Sequence, residues 1–190
     1  MSEQPKIPEV LIEEALELNG TDLHDLCDAT DDAIESGGGF GWVDTPARDV
    51  LERFWKGVLV IPDRKLFVGR LDGIIGGTAQ LILTPTNNQA QAFSATVTNV
   101  FVAPWARGHG IAKKLMTAIE DKAGSLDLAV LNLDVRETQT AAIRLYERLG
   151  YQRWGTKPHY ARVKDQVIAG HYYSKVLNPE LIKAKPMIAE

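Results

Sequence analysis

The chain has 190 residues, a net charge of −4, 45% hydrophobic and 24% charged side chains, and a single cysteine, the composition of a globular protein with a real core. Its acidic balance and lack of a basic stripe argue against nucleic-acid binding, and no apolar run approaches the ~18–20 residues that span a bilayer. The lone Cys27 excludes an internal disulfide, and the opening MSEQPKIPEV lacks the basic start and apolar segment of a signal peptide, so a cytoplasmic protein without a membrane partner is expected.

Residues 1–9, with Pro5 and Pro8, read as a loose arm. Val10 to Leu18 fits a strand or a helix equally. Asn19-Gly20 is a turn signal, and Thr21 or Asp22 is a plausible helix N-cap. From there Leu23, Cys27, Thr30 and Ile34 fall on one helical face, with Asp25, Asp28, Asp32 and Glu35 on the other. Ser36 to Gly41 ends that helix in a flexible loop. Thr45 followed by Pro46 predicts a cap and first helical position for a second helix through Trp55, with Val50, Leu51, Phe54, Trp55 and Val58 as its apolar face.

The period then changes to that of strands. Lys65–Leu71 and Ile74–Thr84 flank Asp72-Gly73, the signature of a tight hairpin. A third strand is expected over Phe93–Val102. A glycine turn, Arg107-Gly108-His109-Gly110-Ile111-Ala112, leads into an amphipathic helix carrying Leu115, Met116 and Ile119. Leu128–Val135 reads as a strand. Thr140–Leu149 reads as a helix with Ala141, Ala142, Leu145 and Leu149 apolar, stopped by Gly150. Tyr151–Trp154 begins a strand, Val163–Val176 supplies the last, and residues 178–190 form a loosely packed tail. No repeat or linker divides the chain, so one mixed α/β domain over residues 1–190 is expected.

The strand, glycine turn and helix of Val97–Glu120 organise the rest. Such a turn leaves backbone N–H groups at a helix N-terminus unpaired and pointing one way, which makes an anion site. A P-loop fails because Ile111 follows Gly110 where a lysine is needed. A dinucleotide fingerprint fails because Lys113 stands where the third glycine belongs. A pyrophosphate loop of the form Arg/Gln-x-x-Gly-x-Gly/Ala is met by Arg107, Gly110 and Ala112.

In context, Val102-Ala103-Pro104, this turn and Leu115-Met116 together resemble motif A of the GNAT superfamily of N-acetyltransferases. Leu131–Val135, Ala142, Leu145-Tyr146-Glu147 and Leu149-Gly150-Tyr151 resemble the second signature of that superfamily. The resemblance covers residues 65–175 well and residues 10–60 loosely. It implies the GNAT acyl-CoA N-acyltransferase fold: an α/β (α+β) domain with a mixed, mostly antiparallel sheet of about six to seven strands and about four helices. It implies acetyl-CoA as the acetyl donor, with its pyrophosphate on the backbone of Arg107, Gly108, His109, Gly110, Ile111 and Ala112 and its pantetheine arm beside Phe101, Val102 and Ala103. Lys113 and Lys114 would add charge for the phosphates, or simply be a solvated helix start. Gln139 stands where the family usually has asparagine and could still bond the cofactor.

By the same resemblance, Tyr146 is the general acid that protonates the departing thiolate; an ordinary phenol pKa near ~10 suits that task. Many relatives carry a glutamate in the strand before the loop. This strand reads Ser94-Ala95-Thr96-Val97-Thr98-Asn99 and holds no carboxylate. Asn99 or a hydroxyl could orient a water or the substrate, and Asp134, Glu137, His159 and His171 are the side-chain alternatives for a base. Cys27 lies on an apolar helix face, which favours core packing over a covalent role, so direct attack by an amine is the expected mechanism; a non-catalytic CoA-binding regulatory module and a protein amine acetyltransferase are the alternative readings. Asp32, Phe40, Trp42 and His159 are the candidate acceptor residues, with Trp55, Trp154 and Tyr160 as further lining. Features around residues 37–55 resemble the small-molecule, tabtoxin-resistance type. The partners expected are acetyl-CoA, an amine acceptor and a second copy of the chain in a homodimer. No metal is expected.

Overall fold

The computed structural model describes residues 7–38 and 41–183. Their elements, in chain order, are β1 (Val10–Ala15), α1 (Gly20–Glu35), α2 (Arg48–Leu59), β2 (Arg64–Leu71), β3 (Ile74–Leu83), β4 (Ser94–Val102), α3 (Ile111–Ser125), β5 (Val130–Arg136), α4 (Thr140–Arg148), β6 (Gln152–Val163) and β7 (Gln166–Val176), with short 3-10 turns between some of them. The strands form one seven-stranded sheet in the order β1-β2-β3-β4-β5-β7-β6. β4 and β5 run parallel, whereas β1–β2, β2–β3, β5–β7 and β6–β7 are antiparallel. The mixed, mostly antiparallel sheet with four α-helices is the expected fold. No described helix is long and apolar enough to cross a membrane.

The chain divides into two compact units, one running to Ile82 and including Val97–Ile119, the other comprising Leu83–Thr96 and the residues from Glu120 onward. In the first unit the ambiguous segment at Val10 is a strand, antiparallel to β2 from Val10↔Leu71 to Ala15↔Leu66. The α1 cap is neither Thr21 nor Asp22. Asn19 takes that position, and its carboxamide oxygen accepts from the Asp22 amide at 2.9 Å. The predicted apolar face of α1 is buried: Leu23, Cys27, Thr30 and Ile34 all face the core, joined by Leu26, Ala29 and Ala33.

Thr30 is a polar residue in that face because its hydroxyl is fully used. It donates to the Leu26 carbonyl at 2.6 Å and accepts from the Trp55 indole at 3.1 Å. A hydroxyl paired this way costs far less to bury than an orphan one. The second helix starts later than predicted. Thr45 and Pro46 lie before it, Ala47 is its N-cap with no side-chain bond, and it runs on to Leu59. Leu51, Trp55 and Val58 are its buried face, while Val50 and Phe54 are half-buried. The β2–β3 hairpin turns at Asp72 (φ 50°) and Gly73 (φ 91°), the two left-handed residues that a type I′ turn requires.

In the second unit β4 pairs with β5 over Ser94–Thr96 and Val130–Asn132, and β5 pairs with β7 from Val130↔Val176 to Arg136↔Gly170. α4 ends at Arg148, with Gly150 at φ 87° closing it. Its apolar face differs from the prediction: Ala141 is exposed, Ala142, Leu145 and Leu149 are half-buried, and Tyr146 is the buried residue. β6 is much longer than Tyr151–Trp154 indicated, and Val163 belongs to it rather than to β7. The reason is a wide irregularity in the β6–β7 register between Lys157 and Ala161, which carries Pro158, a residue that reads as a strand breaker.

Candidate functional site

The glycine turn is built on close approach. A Cβ on Gly69 would lie 2.5 Å from Ile111 Cγ2, one on Gly76 2.5 Å from Ala106 Cβ, and one on Gly77 2.8 Å from the Phe101 carbonyl oxygen. Bare backbone in β2 and β3 therefore lets the start of α3 and the Pro104–Ala106 turn settle onto the hairpin. Ala103 donates its amide to the Gly76 carbonyl at 2.8 Å, fixing the chain where β4 ends. Gly108 (φ 85°) and Gly110 (φ 78°) adopt left-handed dihedrals that a β-carbon disfavours. The Lys114 amide closes the first helical bond on the Gly110 carbonyl at 3.0 Å. Among the described residues, the amides of 108–113 find no backbone acceptor outside the helix, the arrangement that favours an anion.

Arg107 holds this turn from the side. Its Nε donates to the Val102 carbonyl at 3.1 Å and its Nη2 to the Ser36 hydroxyl at 2.8 Å, tying the loop to the end of α1. His109 is exposed, with Nδ1 3.4 Å from the Ala106 carbonyl oxygen. Ile111 is buried, Ala112 half-buried and Lys113 exposed. The Phe101 and Ala103 side chains are in the core, so these two positions offer a ligand main chain alone.

Asn99 sits in β4 with φ 52°, a left-handed residue inside a strand, which breaks the regular pleat there. With Gly41, Trp42, Phe54, Arg64, Ile82 and Thr98 it lines a cavity of about 360 Å³. Trp42 and Asn99 were each singled out from sequence, and the structure brings them together. Trp42 and Phe54 meet edge to face, 4.9 Å between centroids. Phe40 lies outside the described residues. Asp32 is half-buried on α1 and does not line this cavity, and Trp55 is fully buried in the core. Of the acidic face of α1, Asp28 is engaged in ion pairing: Arg48 bonds it together with the His24 carbonyl at 2.9 Å and His24 Nδ1, and lies 3.9 Å from Asp31.

Tyr146, in the second unit, is buried against Tyr151 and Tyr173, with ring centroids 6.0 and 6.4 Å away. Burial, with a contribution from the Asp134 charge, pushes its phenol well above the ordinary value expected from sequence, which makes it a weaker acid in this state than that expectation assumed. It stays protonated across the physiological range. Asp134 accepts a hydrogen bond from the Tyr160 phenol. Tyr160 reaches it because the β6 irregularity lays its ring over Gly170, where a Cβ would overlap Tyr160 Cγ. Glu137 accepts from the Ala169 amide at 3.1 Å, His171 Nδ1 is 3.0 Å from the Thr156 hydroxyl, and His159 and Trp154 are exposed. Gln139 is the N-cap residue of α4 and makes no capping bond with its side chain.

Sequence reading missed Arg64, Gly76, Gly77 and the Ser36–Arg107 bond. A Gly-Gly pair in a strand was the available signal for close backbone approach.

Known proteins share this fold. The model of the acetyltransferase (GNAT) family matches residues 25–151. An uncharacterized N-acetyltransferase from the hisH-hisA intergenic region of Azospirillum brasilense is 60% identical over 131 residues, 69% of this chain and 78% of that protein. The catalytic subunit of the N-terminal acetyltransferase B complex of Arabidopsis thaliana is 39% identical over 71 residues, 37% of this chain and 41% of that protein. An N-acetyltransferase from Staphylococcus aureus Mu50 superimposes with a TM-score of 0.76 at 19% identity, covering 90% of this chain and 99% of its own. A Salmonella typhimurium protein solved with its cofactor acetyl-CoA has a TM-score of 0.72 at 16% identity, covering 95% and 99%. The chain belongs to the GNAT family of acetyltransferases, enzymes that use acetyl-CoA as acetyl donor.

Proposed function

We propose that this chain, acting as one catalytic domain, moves the acetyl group of acetyl-CoA directly to the primary amine of a small molecule. The observation that carries the reading is the row of amides at 108–113 that find no backbone acceptor outside the helix among the described residues, set at the N-terminus of α3 by two left-handed glycines. A doubly charged pyrophosphate fits that donor set, and Lys113 adds a cation beside it. Bound acetyl-CoA supplies an acetyl group activated as a thioester.

The chain's own residues do the rest. The loop amides hold the anion, and main-chain groups near Phe101, Val102 and Ala103 hold the arm beyond it. Asn99 presents its carboxamide to the cavity, where it orients the amine or a water that takes the amine's proton. Tyr146 holds a proton at its phenolic oxygen, available to the leaving sulfur. Cys27 takes no part: it is fully buried, and burial pushes its thiol up to about 11. Most of the rate then comes from positioning.

Release of free thiol from acetyl-CoA across a panel of amines tests this reading. Wild type should turn over at least one amine, and Tyr146→Phe should lose roughly 10²-fold or more in kcat, the scale of one proton-transfer residue. Absence of release with every amine would overturn it. A second reading, acetylation of a protein N-terminal amine, draws on relatives bearing that name, including a ribosomal protein bS18-alanine N-acetyltransferase from Haemophilus ducreyi, 32% identical over 71 residues, 37% of this chain and 49% of that protein.

A further inference from the structure

The geometry points to an acceptor that carries a carboxylate close to its amine, with Arg64 as the residue that reads it. This inference rests on the acetyltransferase reading above and adds the chemical class of the acceptor.

Among the described residues, Arg64 is the one charged residue in the lining of the cavity that holds Trp42 and Asn99. It is half-buried, and its hydrogen bond among the described residues is a long one, 3.4 Å to Gln80 Oε1. Three other arginines of the same unit each have a carboxylate partner. Arg70 bonds Glu13 and Asp22 at 2.7 Å each, Arg53 bonds Asp49 at 2.9 Å, and Arg48 holds Asp28. Arg64 has no carboxylate within ion-pair distance among the described residues. A partly desolvated guanidinium facing an open cavity without a counter-ion is an unmet electrostatic demand, and a planar carboxylate answers it with two parallel hydrogen bonds.

A second observation lies beside it. Gln80 is fully buried on β3, and its Nε2 has no hydrogen-bond partner among the described residues. The carboxamide that receives Arg64 therefore has unspent donors of its own. Buried amide donors are rarely left unmet, so the Arg64–Gln80 contact is not a closed network, although Gln80 itself does not line the cavity. Trp42 and Phe54, which meet edge to face, add apolar lining for a side chain. At about 360 Å³ the cavity is at the small end of ligand sites, the size of a single amino acid or a close analogue. The acidic residues of α1 do not contribute to its lining.

The test compares phenylalanine, leucine, methionine and glutamate with their amides, their decarboxylated amines and a tetrapeptide with a free N-terminus. Initial rates with acetyl-CoA are measured for wild type, Arg64→Gln and Arg64→Lys. At least one amino acid should exceed its own amide by 10-fold or more in kcat/KM. Arg64→Gln should collapse that ratio toward one, and Arg64→Lys should keep part of it, with KM for acetyl-CoA unmoved in both. Amides turned over as well as acids, a peptide preferred to every amino acid, or a ratio unchanged in Arg64→Gln would overturn the inference. If no amine reacts at all, the acetyltransferase reading fails instead. Calorimetric titration of the same acid and amide pairs into the CoA-saturated protein then decides this one: a preference for acids that Arg64→Gln removes supports it, and none contradicts it.

Discussion

Gly77 stands where a β-carbon would lie 2.8 Å from the carbonyl oxygen of Phe101, closer than packed atoms tolerate. The same β-carbon would sit 3.1 Å from Val102 Cγ2 and 3.3 Å from Ile111 Cγ2, so it would meet the end of β4 and the start of α3 together. The anion-binding turn is held between these two elements. Its position is thus set by a missing methyl group in a neighbouring strand.

Gly77→Ala should therefore destabilise the fold by about 1–3 kcal/mol, the usual cost of forcing a methyl into packed backbone. It should also weaken CoA binding, because the turn must move to make room. Urea denaturation and calorimetry read the two effects separately. An alanine variant as stable as wild type with the same CoA affinity would contradict the seating described here.

The bond from Arg107 to Ser36 spans 71 positions of sequence and joins the turn to α1. Both groups are exposed, so each truncation should cost only about 0.5–1.5 kcal/mol. The informative quantity is the coupling. Ser36→Ala should weaken CoA binding in wild type and change little in Arg107→Ala, because the partner is already gone. A fully additive double mutant would mean that the strap does not position the turn.

Tyr146, Tyr151, Tyr160 and Tyr173 all have phenols raised above the ordinary value, with burial the first cause in each. Raised folded values mean that the native state holds these protons more tightly than the unfolded chain does. Their contribution is fully present below about pH 10, the ordinary phenol value, and is lost as pH rises towards the folded values. Urea midpoints should be flat from about pH 8 to 9 and fall above about pH 10, with tyrosinate absorbance lagging until the protein unfolds. Ionisation of all the tyrosines at their ordinary value in the folded protein would refute the burial.

The local features were legible because they are written in consecutive residues. Asp72-Gly73 announced its hairpin, and Arg107 to Ala112 announced its turn. The buried face of α1 followed from spacing alone. What sequence could not carry was anything decided by distant partners. Asn19 rather than Thr21 caps α1 because several adjacent residues can cap, and the chain trajectory chooses among them. β6 runs through Pro158 because a wide irregularity opposite Ala169 accommodates it, and that same irregularity brings Tyr160 to Asp134. The carboxylates of α1 read from spacing as one open face, but Arg48, twenty positions from Asp28, engages that residue. Arg64 passed unnoticed because a lone arginine at a strand start has no motif. Its significance lies in what is not beside it.

The central claim is that the 108–113 turn seats the pyrophosphate of CoA, and the most direct measurement is calorimetric binding of CoA and of pantetheine, which lacks the pyrophosphate, to wild type and Lys113→Glu. Lys113 is exposed in the first turn of α3, where a carboxylate favours the helix, so the variant should fold at least as stably as wild type. CoA should bind at least 10-fold more tightly than pantetheine, and Lys113→Glu should lower CoA affinity while leaving pantetheine unchanged, a difference of about 1.4 kcal/mol or more. Equal binding of CoA and pantetheine, or a CoA affinity untouched by the charge reversal, would contradict it.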